Sequence, residues 1–478
     1  MRLKGVLSQP PEVIEPARKI LGRRTEEIMD VTAKIAKFAA DFKYESVPAK
    51  ALTAAKVAVR DCLGVALAGS REEDARICAE IARQENAKQE TGVIGRGFKT
   101  SALGAALANG TAAHALDFDH SFTIMGQPTA PIIPAIFALA EALGASGPRA
   151  LEAYVVGYEV TAKLAHALRD SAHDGWHAPS TIGSFGAAAA CTKLLGLNPP
   201  KVEMALGIAA SMASGLVANF GTMTKPLHVG LGARNGVLAA KLAAAGYTAN
   251  GKAIESGFGF YRVFHPGAPI DDQPIDELGR SFALLSDGLR IKPYPCGGLT
   301  HQVIDTVLDF RAKHGLSAEA IDSIDVDVVK HTFDRIVFLV PQNGIQGKFC
   351  MPYLVARAII DGKIGLDSFT DSAVKDPNVL KLAARVRMNL DENLKKADRA
   401  GRPCRVTIRL KNGQTLAREA QHAKGGPEYP MTEDELKAKF LDCAQQALPR
   451  PSAERALDQI EQLERLDDLR PLCDILRG

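Results

Sequence analysis

The sequence predicts a mainly α-helical protein with a smaller α+β module set into the helical chain. Three observations support this fold class. Apolar residues recur at three- and four-residue intervals in the first half of the chain, as they do in amphipathic helices. Alanine and glycine dominate a series of helix-length segments that begins after Ser101. Alternation with period two, which is typical of half-buried strands, starts only after about residue 275.

The first part of the chain is predicted to be helical after a loosely ordered extension over residues 1–28. That extension has mixed charge and no sustained period. In the helix predicted over residues 51–69, Leu52, Val59 and Leu63 share one face. Small side chains in the segments that follow let helices approach closely, which favours a compact body. Further helices are predicted over residues 30–42, 72–84, 102–115, 130–145, 153–167, 182–195 and 200–218.

A loop that presents one lysine to a helix is predicted between Gly221 and Gly246. Lys225 precedes Pro226, and a residue before proline is disfavoured in the α region, so Lys225 is expected in an extended segment. Pro226 suits the first turn of a helix that continues to about Ala245. Helix N-termini favour anions, so a carboxylate or phosphate site is the functional interpretation. An ordinary solvated lysine is the alternative.

An α+β module is predicted over residues 281–425. Residues 324–328 and 405–411 alternate like strands, and Asn412-Gly413 predicts a type I′ hairpin turn that leads into a further strand. Helices are predicted between these strands. Residues 29–280 form the first part of the helical domain. Residues 426–478, which begin with a capping box at Thr432–Glu435, are expected to return to it.

Composition restricts the functional class. A chain of 478 residues is too long for one simple core, so at least two domains are expected. The net charge of +3 gives no support for a nucleic-acid or membrane-surface role. The eight cysteines show no CxxC spacing, which favours reduced thiols and a cytoplasmic location. Neither of the two long uncharged runs has the apolar density of a membrane span.

Two stretches carry candidate acid–base residues. His114 and Asp117 lie three positions apart, so on a helix they would share a face and the carboxylate could orient the imidazole. A surface ion pair is the alternative. His177 precedes a predicted helix start with a Ser/Thr N-cap, where an imidazole is well placed to contact an anion. A simple capping loop remains the other interpretation there.

A third stretch runs from Lys292 to His301 and includes Cys296 between prolines and glycines. These residues indicate a shaped loop that leads into a helix, and a plain interdomain connector is the alternative. The sequence contains no serine-hydrolase elbow, Walker loop, dinucleotide fingerprint or HExxH motif. No ligand spacing in the sequence asks for a metal.

Five blocks of the sequence resemble the successive signature blocks of the MmgE/PrpD family. The family includes 2-methylcitrate dehydratase, cis-aconitate decarboxylase and iminodisuccinate epimerase. The resemblance implies a helical domain built from both chain ends, an inserted α+β lid, a homodimer, no cofactor, and a small di- or tricarboxylic acid as substrate. The blocks are HALDFDHS, GWHAPSTIGSFGAAAA, GTMTKPLHVGLGARNGVLAA, KPYPCGGLTH and FCMPYLVARAIIDGKIGLDSF.

Single residues can be carried over from this resemblance. Asp117 matches the first aspartate of the family's DFDD motif, His177 the histidine before the STIG helix, and Lys225 the lysine of TKPLH. The resemblance implies that all three are active-site positions. Tyr353, in the FCMPY block, matches a lid tyrosine near the substrate.

The chain also departs from the family pattern. Where relatives have DFDDT and then HPS, this sequence has His120 and Ser121, and later Gln127 in place of an active-site histidine. The loop after the Tyr-Pro pair contains Gly297 and Gly298, where some members have a histidine. Because an amide side chain cannot transfer protons, Gln127 suggests an altered substrate or reaction.

The leading hypothesis is a lyase that needs no cofactor and acts on a small polycarboxylate. Within it, a hydro-lyase similar to 2-methylcitrate dehydratase is preferred to a decarboxylase. Lys225 and His177 would hold carboxylates and stabilise enolate-like charge, and one of them would be the base. Asp117 would orient a cation. The alternatives are an epimerase of the iminodisuccinate type and a dimeric carboxylate-binding protein without activity. The expected substrate-binding residues are Ser121, Gln127, His114, Lys292, Cys296, His301 and Tyr353.

Overall fold

The computed structural model describes residues 30–122, 124–169, 172, 175–398 and 401–478, and the predicted extension over residues 1–28 lies outside them. The mainly α fold class is confirmed. The helices of the first part are α1 Val31–Asp41, α2 Ala49–Gly69, α3 Glu73–Gln84, α4 Ala102–Ala115, α5 Thr129–Leu143, α6 Gly147–Leu168, α7 Ala178–Leu194, α8 Pro199–Met212, α9 Thr224–Ala244, α10 Phe260–Phe264, α11 Gln273–Asp276 and α12 Ala283–Ser286. The later helices are α13 His301–His314, α14 Lys330–Phe333, α15 Gly344–Gly347, α16 Met351–Asp361, α17 Pro377–Ala383, α18 Glu433–Ala444, α19 Arg450–Glu461 and α20 Arg470–Arg477.

The strands are β1 Thr91–Gly92, β2 Lys99–Thr100, β3 Ile321–Val328, β4 Val386–Leu390, β5 Cys404–Leu410 and β6 Thr415–Ala420. They form two sheets, a small hairpin and a four-stranded sheet in the order β4-β3-β5-β6. In the larger sheet β3 is parallel to β4 and antiparallel to β5. Ile324, Val326 and Val328 of β3 are buried, which confirms the alternation read from the sequence.

The hairpin between β5 and β6 is confirmed, but its type I′ turn is wrong. A type I′ turn needs a positive φ at both central residues, and of Asn412 and Gly413 only the glycine has one, at 88°. The Gly413 amide donates to the Leu410 carbonyl at 2.9 Å, which closes the turn around Lys411 and Asn412. The loop is therefore one residue longer than the Asn-Gly signal predicted.

The buried apolar residues fall mainly into two clusters. The first extends from Val31 to Leu284 and takes in residues from Phe440 to Leu476 near the C-terminus. We call the part of the chain around this cluster the helical body. The second cluster extends from Cys296 to Leu416, and we call the part around it the α+β module. The capping box at Thr432, where the C-terminal helices begin, has both of its hydrogen bonds.

Helix α9 is central to the helical body because it packs against both α4 and α7. The contact with α4 is made by glycines. An ideal Cβ built on Gly110 would lie 2.8 Å from the Gly230 Cα. Because these helices pack so closely, the C-terminal end of α4 lies near the N-terminal ends of α7 and α9, beside the module. These three helix ends carry His114, His177 and Lys225.

Replacing Gly110 with alanine is expected to lower the free energy of unfolding by about 1–3 kcal/mol, because the added methyl group would meet backbone that cannot rotate away. Denaturant unfolding measures this change. Gly257→Ala is the matched control, because an ideal Cβ there has no atom within 4 Å. Equal stability of the two variants would contradict the close α4–α9 contact.

Within the described residues, no helix combines the length and the apolar character that crossing a membrane requires. The structure describes one chain, so the homodimer stays a prediction.

Candidate active site

The site is built around Asp117, which lies just beyond the end of α4. The helix ends at Ala115, and Asp117 has a φ of +51°, in the left-handed region. This turn separates it from His114, so the predicted His114–Asp117 pair is wrong. Asp119 takes that place, with one carboxylate oxygen 3.0 Å from His114 Nδ1. Backbone strain of this kind is often found at functional sites.

Two buried lysines bind the Asp117 carboxylate. Lys225 Nζ lies 2.8 Å from Oδ1, and Lys292 Nζ lies 3.2 Å from Oδ2. Burial opposes ionisation, but the two ammonium groups outweigh it and hold the pKa of Asp117 well below its ordinary value. Lys225 lies in the first turn of α9 and not in an extended segment, so that prediction is wrong. The preference imposed by Pro226 is overridden by the tertiary contact with Asp117.

Three lysines from distant parts of the chain bind successive carbonyls of the same loop. Lys348 donates to Leu116 O at 3.0 Å, Lys292 to Asp117 O at 2.7 Å, and Lys439 to Phe118 O at 2.9 Å. Lys348 and Lys292 come from the module, whereas Lys439 comes from α18 in the returning C-terminal segment. The loop that carries Asp117 is thus held by both parts of the protein. No local pattern around Lys348 or Lys439 indicates these contacts.

Three imidazoles lie beside the lysines. The ring centroids of His114 and His177 are 5.4 Å apart, and those of His177 and His228 are 5.5 Å apart. Burial lowers the pKa of all three, and Lys225 lowers each pKa further, while Asp119 opposes the shift at His114. The rings are therefore neutral near pH 7. His177 itself occupies the N-cap position of α7, so the predicted Ser/Thr N-cap is wrong.

Two aromatic rings lie close to the ammonium group of Lys225. Its Nζ lies 5.4 Å from the Phe220 ring centroid and 5.9 Å from that of Phe349. Phe220 belongs to the helical body and Phe349 to the module. An ideal Cβ on Gly297 would lie 3.0 Å from the Phe349 ring. Gly297, which departs from the family pattern, has no side chain and so allows the Phe349 ring to approach. With one ring from each part of the protein, the site lies between the helical body and the module.

The other predicted residues of the module have contacts within the module. Cys296 is buried against the Thr300 hydroxyl at 3.5 Å, and burial raises the pKa of its thiol to about 12, so it is no nucleophile near neutral pH. His301 Nε2 lies 3.3 Å from the Cys296 carbonyl. The Tyr353 hydroxyl donates to the Ser368 carbonyl. These contacts give no support to a substrate-binding role for the three residues.

The residues that depart from the DFDDT and HPS patterns lie at the border of the site. The Ser121 amide donates to the Arg290 carbonyl at 2.9 Å. His120 is buried and shares a hydrogen bond with the Thr129 hydroxyl in the body. Gln127 is half-buried, and its neighbour Gly126 lies against Pro179 in the first turn of α7. Gln127 is therefore close to the helix that His177 begins.

Among the described residues, one group could offer three ligand atoms to a metal ion: Asp398, His422 and Glu428. Asp398 and Glu428 are exposed and His422 is half-buried, and Glu428 already pairs with the Arg290 guanidinium at 2.7 Å. We assign no metal to this group. The expectation that the protein needs no metal or other cofactor stays a prediction.

Acid is expected to destabilise the protein through His301. Burial, aided by Lys292, lowers the pKa of His301 to about 3, from 6.5. The unfolded chain therefore binds a proton first as the pH falls below 6.5, and stability decreases by up to about 1.4 kcal/mol per pH unit until about pH 3. Above pH 6.5 this histidine has no effect, because both states are neutral.

Urea unfolding between pH 7 and pH 4 tests this expectation for His301→Gln. The variant should lose less stability on acidification than the wild type. His314→Gln is the control, because His314 is exposed at the other end of the same helix. An unchanged pH dependence in His301→Gln would show that this imidazole is not kept neutral by the fold.

Comparisons with known proteins agree with this architecture. The model of the MmgE/PrpD N-terminal domain matches residues 33–273, and that of the MmgE/PrpD C-terminal domain matches residues 294–465. A cis-aconitate decarboxylase from Mus musculus is 30% identical over 440 residues, 88% of each chain. The protein of that name from Homo sapiens is 29% identical over 439 residues, 88% of this chain and 89% of the relative. One from Aspergillus terreus is 26% identical over 474 residues, 93% of this chain and 96% of the relative.

Proposed function

The chain belongs to the MmgE/PrpD family, and on that premise we propose that it is a lyase acting on a small di- or tricarboxylic acid. The names of the relatives make decarboxylation of cis-aconitate the first reaction to test. Hydro-lyase activity on a related acid remains within the proposal. The family resemblance implies that no cofactor takes part.

The observation that carries this proposal is the buried cluster of Lys225, Lys292 and Asp117 beside neutral imidazoles. The cluster has two ammonium groups and one carboxylate, so it has a net positive charge that a substrate carboxylate can balance. Donors fixed in a water-poor site stabilise developing negative charge more strongly than water does. Such a site would bind the carboxylate and stabilise the enolate-like charge on the neighbouring carbon.

The same charged cluster could serve both candidate lyase reactions. In decarboxylation of cis-aconitate, the bond to one carboxylate breaks and CO₂ leaves. The freed electron pair forms a new double bond, and the old double bond takes a proton at its far carbon. In dehydration, a proton leaves the carbon next to a carboxylate, and hydroxide leaves the carbon beyond it as water. Both routes place negative charge next to a bound carboxylate, and there the ammonium group of Lys225 would stabilise it.

Gln127 favours a second candidate, an epimerase of the iminodisuccinate type. Gln127 stands where the family pattern has a histidine, and its amide can neither donate an acidic proton nor accept one as a base. Epimerisation needs only removal and return of one proton next to a carboxylate. A site with fewer titratable groups can still perform it.

Gln127→His is expected to raise kcat/KM for cis-aconitate by about 10- to 100-fold, because it would restore the imidazole that the family pattern has at this position and with it a general acid. Product formation measured by ¹³C NMR would show the gain. Gln302→His, a buried glutamine of α13, is the matched control. A variant no faster than wild type would mean that position 127 does not set the reaction.

The proposed function is tested by incubating the wild-type protein in D₂O with cis-aconitate, 2-methylcitrate and iminodisuccinate. Release of CO₂ or formation of an unsaturated acid supports the lyase. Change of configuration with deuterium at the inverted carbon supports the epimerase. Neither turnover nor deuterium exchange with any of these acids would contradict both and favour a carboxylate-binding protein.

A further inference from the structure

His114 and Asp119 form a buried pair at the edge of the site. His114 Nδ1 lies 3.0 Å from one Asp119 oxygen and 3.1 Å from the other. Both side chains are almost completely buried, with side-chain exposures of 0% and 1%. The other ring nitrogen, His114 Nε2, is buried without a hydrogen-bond partner among the described residues. A buried polar atom without a partner in a native protein calls for an explanation, and ligand binding is one.

The carboxylate determines which nitrogen of His114 carries the proton. An ionised carboxylate only accepts hydrogen bonds, so the neutral imidazole beside it must carry its hydrogen on Nδ1. The lone pair then lies on Nε2, on the opposite side of the ring from Asp119. The ring lies beside His177, tilted by 36° from its plane, and within electrostatic reach of Lys225 and Asp117. The free lone pair is therefore a base at the edge of the charged cluster.

Lys225 and His177, the other two candidate bases, each have a hydrogen-bond partner. Lys225 Nζ donates to Asp117 at 2.8 Å. His177 Nδ1 lies 3.3 Å from His228 Nδ1, so one of these two rings donates to the other. Neither His177 nor His228 has a carboxylate partner that fixes its tautomer among the described contacts. Of the three imidazoles, only His114 has the arrangement that orients a general base.

We propose that His114 exchanges the proton with the substrate carbon, and that Asp119 is its positioning residue. The proposal rests on the proposed function and names the acid–base group that the function needs. In dehydration or epimerisation, the C–H bond next to the carboxylate breaks, its proton goes to Nε2, and its electron pair passes into the enolate held by Lys225. In decarboxylation, Nε2 takes a proton from water and delivers it to the carbon, and the hydroxide that remains combines with the departing CO₂ as bicarbonate.

The kinetic test uses His114→Gln and Asp119→Asn with whichever acid the wild-type protein turns over. Both variants are expected to lower kcat by about 100-fold or more while KM stays within about threefold. Asp119→Glu, which keeps the charge, should recover part of the lost rate. A kcat of His114→Gln within about threefold of wild type would overturn the proposal, provided that circular dichroism shows the variant to be folded.

The pH profile separates a positioning role from a purely structural one. The titratable groups around His114 are Asp119, Asp117, Lys225, His177 and His228. Burial lowers the pKa of His114, and Asp119 opposes that shift. Removing the Asp119 charge should therefore move the acid limb of kcat/KM to lower pH. An acid limb that stays in place in Asp119→Asn would contradict the assignment of Asp119.

The tautomer of His114 can be read without any substrate. In protein labelled with ¹⁵N-histidine, long-range ¹H–¹⁵N correlations identify the protonated nitrogen, and the His114 signals are those missing from His114→Gln. The proposal predicts a proton on Nδ1 and none on Nε2 at neutral pH. A proton on Nε2 would overturn it. If the wild-type protein turned over no acid, the proposed function would fail, and this measurement alone would still decide the state of the pair.

Discussion

Replacing Lys225 with methionine is expected to reduce kcat/KM by about a thousandfold while the protein remains folded. Methionine keeps most of the side-chain volume but removes the charge that would stabilise the enolate. The fold should tolerate the loss, because Asp117 keeps the ion pair with Lys292 at 3.2 Å. Steady-state kinetics with the best acid of the substrate panel measures the effect, and thermal unfolding checks the fold.

The matched control for this substitution lies on the same helix. Lys241→Met removes a half-exposed lysine near the C-terminal end of α9, and it should change kcat/KM by less than about twofold. Near-normal kcat in Lys225→Met would remove Lys225 from the mechanism. Equal losses in both variants would point to damage of the helix and not to chemistry.

Replacing Asp117 with asparagine is expected to lower the free energy of unfolding by about 3–5 kcal/mol, the largest stability effect that we predict. Asparagine has nearly the same shape but no charge, so Lys225 and Lys292 would be buried together without an anion. Urea unfolding at neutral pH measures the loss. Activity should also fall, because the lysines would no longer be held in place.

A double-mutant cycle shows whether charge causes this effect. Adding Lys225→Met to Asp117→Asn should restore part of the stability, because only one buried ammonium group then remains in the pair. Asp276→Asn is the control, since it breaks an exposed ion pair with Lys34 and should cost less than about 1 kcal/mol. A stability of Asp117→Asn equal to that of this control would contradict the buried ion-pair cluster.

The sequence predicted the fold class because its signals are local. Three- and four-residue apolar periods identified the helices that form the body, and the alternation of residues 324–328 identified β3. The family blocks brought Asp117, His177 and Lys225 into one site, and the structure places them together. The MmgE/PrpD resemblance itself is confirmed by both family models.

The parts that the sequence did not predict depend on contacts between distant residues. Helix α4 ends at Ala115, and Asp117 has a left-handed backbone conformation. As a result Asp119, and not Asp117, pairs with His114. Residue periodicity in the sequence does not predict this change. Lys348 and Lys439 bind carbonyls that lie 232 and 321 positions away in the chain. A lysine in a sequence carries no sign that its ammonium group will be buried against a remote backbone.

A crystal structure of the protein with bound tricarballylate, a saturated tricarboxylate that has no double bond to react, would show directly whether Lys225 binds a substrate carboxylate. We expect one ligand carboxylate within hydrogen-bond distance of Lys225 Nζ, between Phe220 and Phe349, with the ligand carbon chain facing His114 Nε2. A ligand bound instead in the surface groove between Gly207 and Phe264, with Lys225 still held only by Asp117, would contradict it.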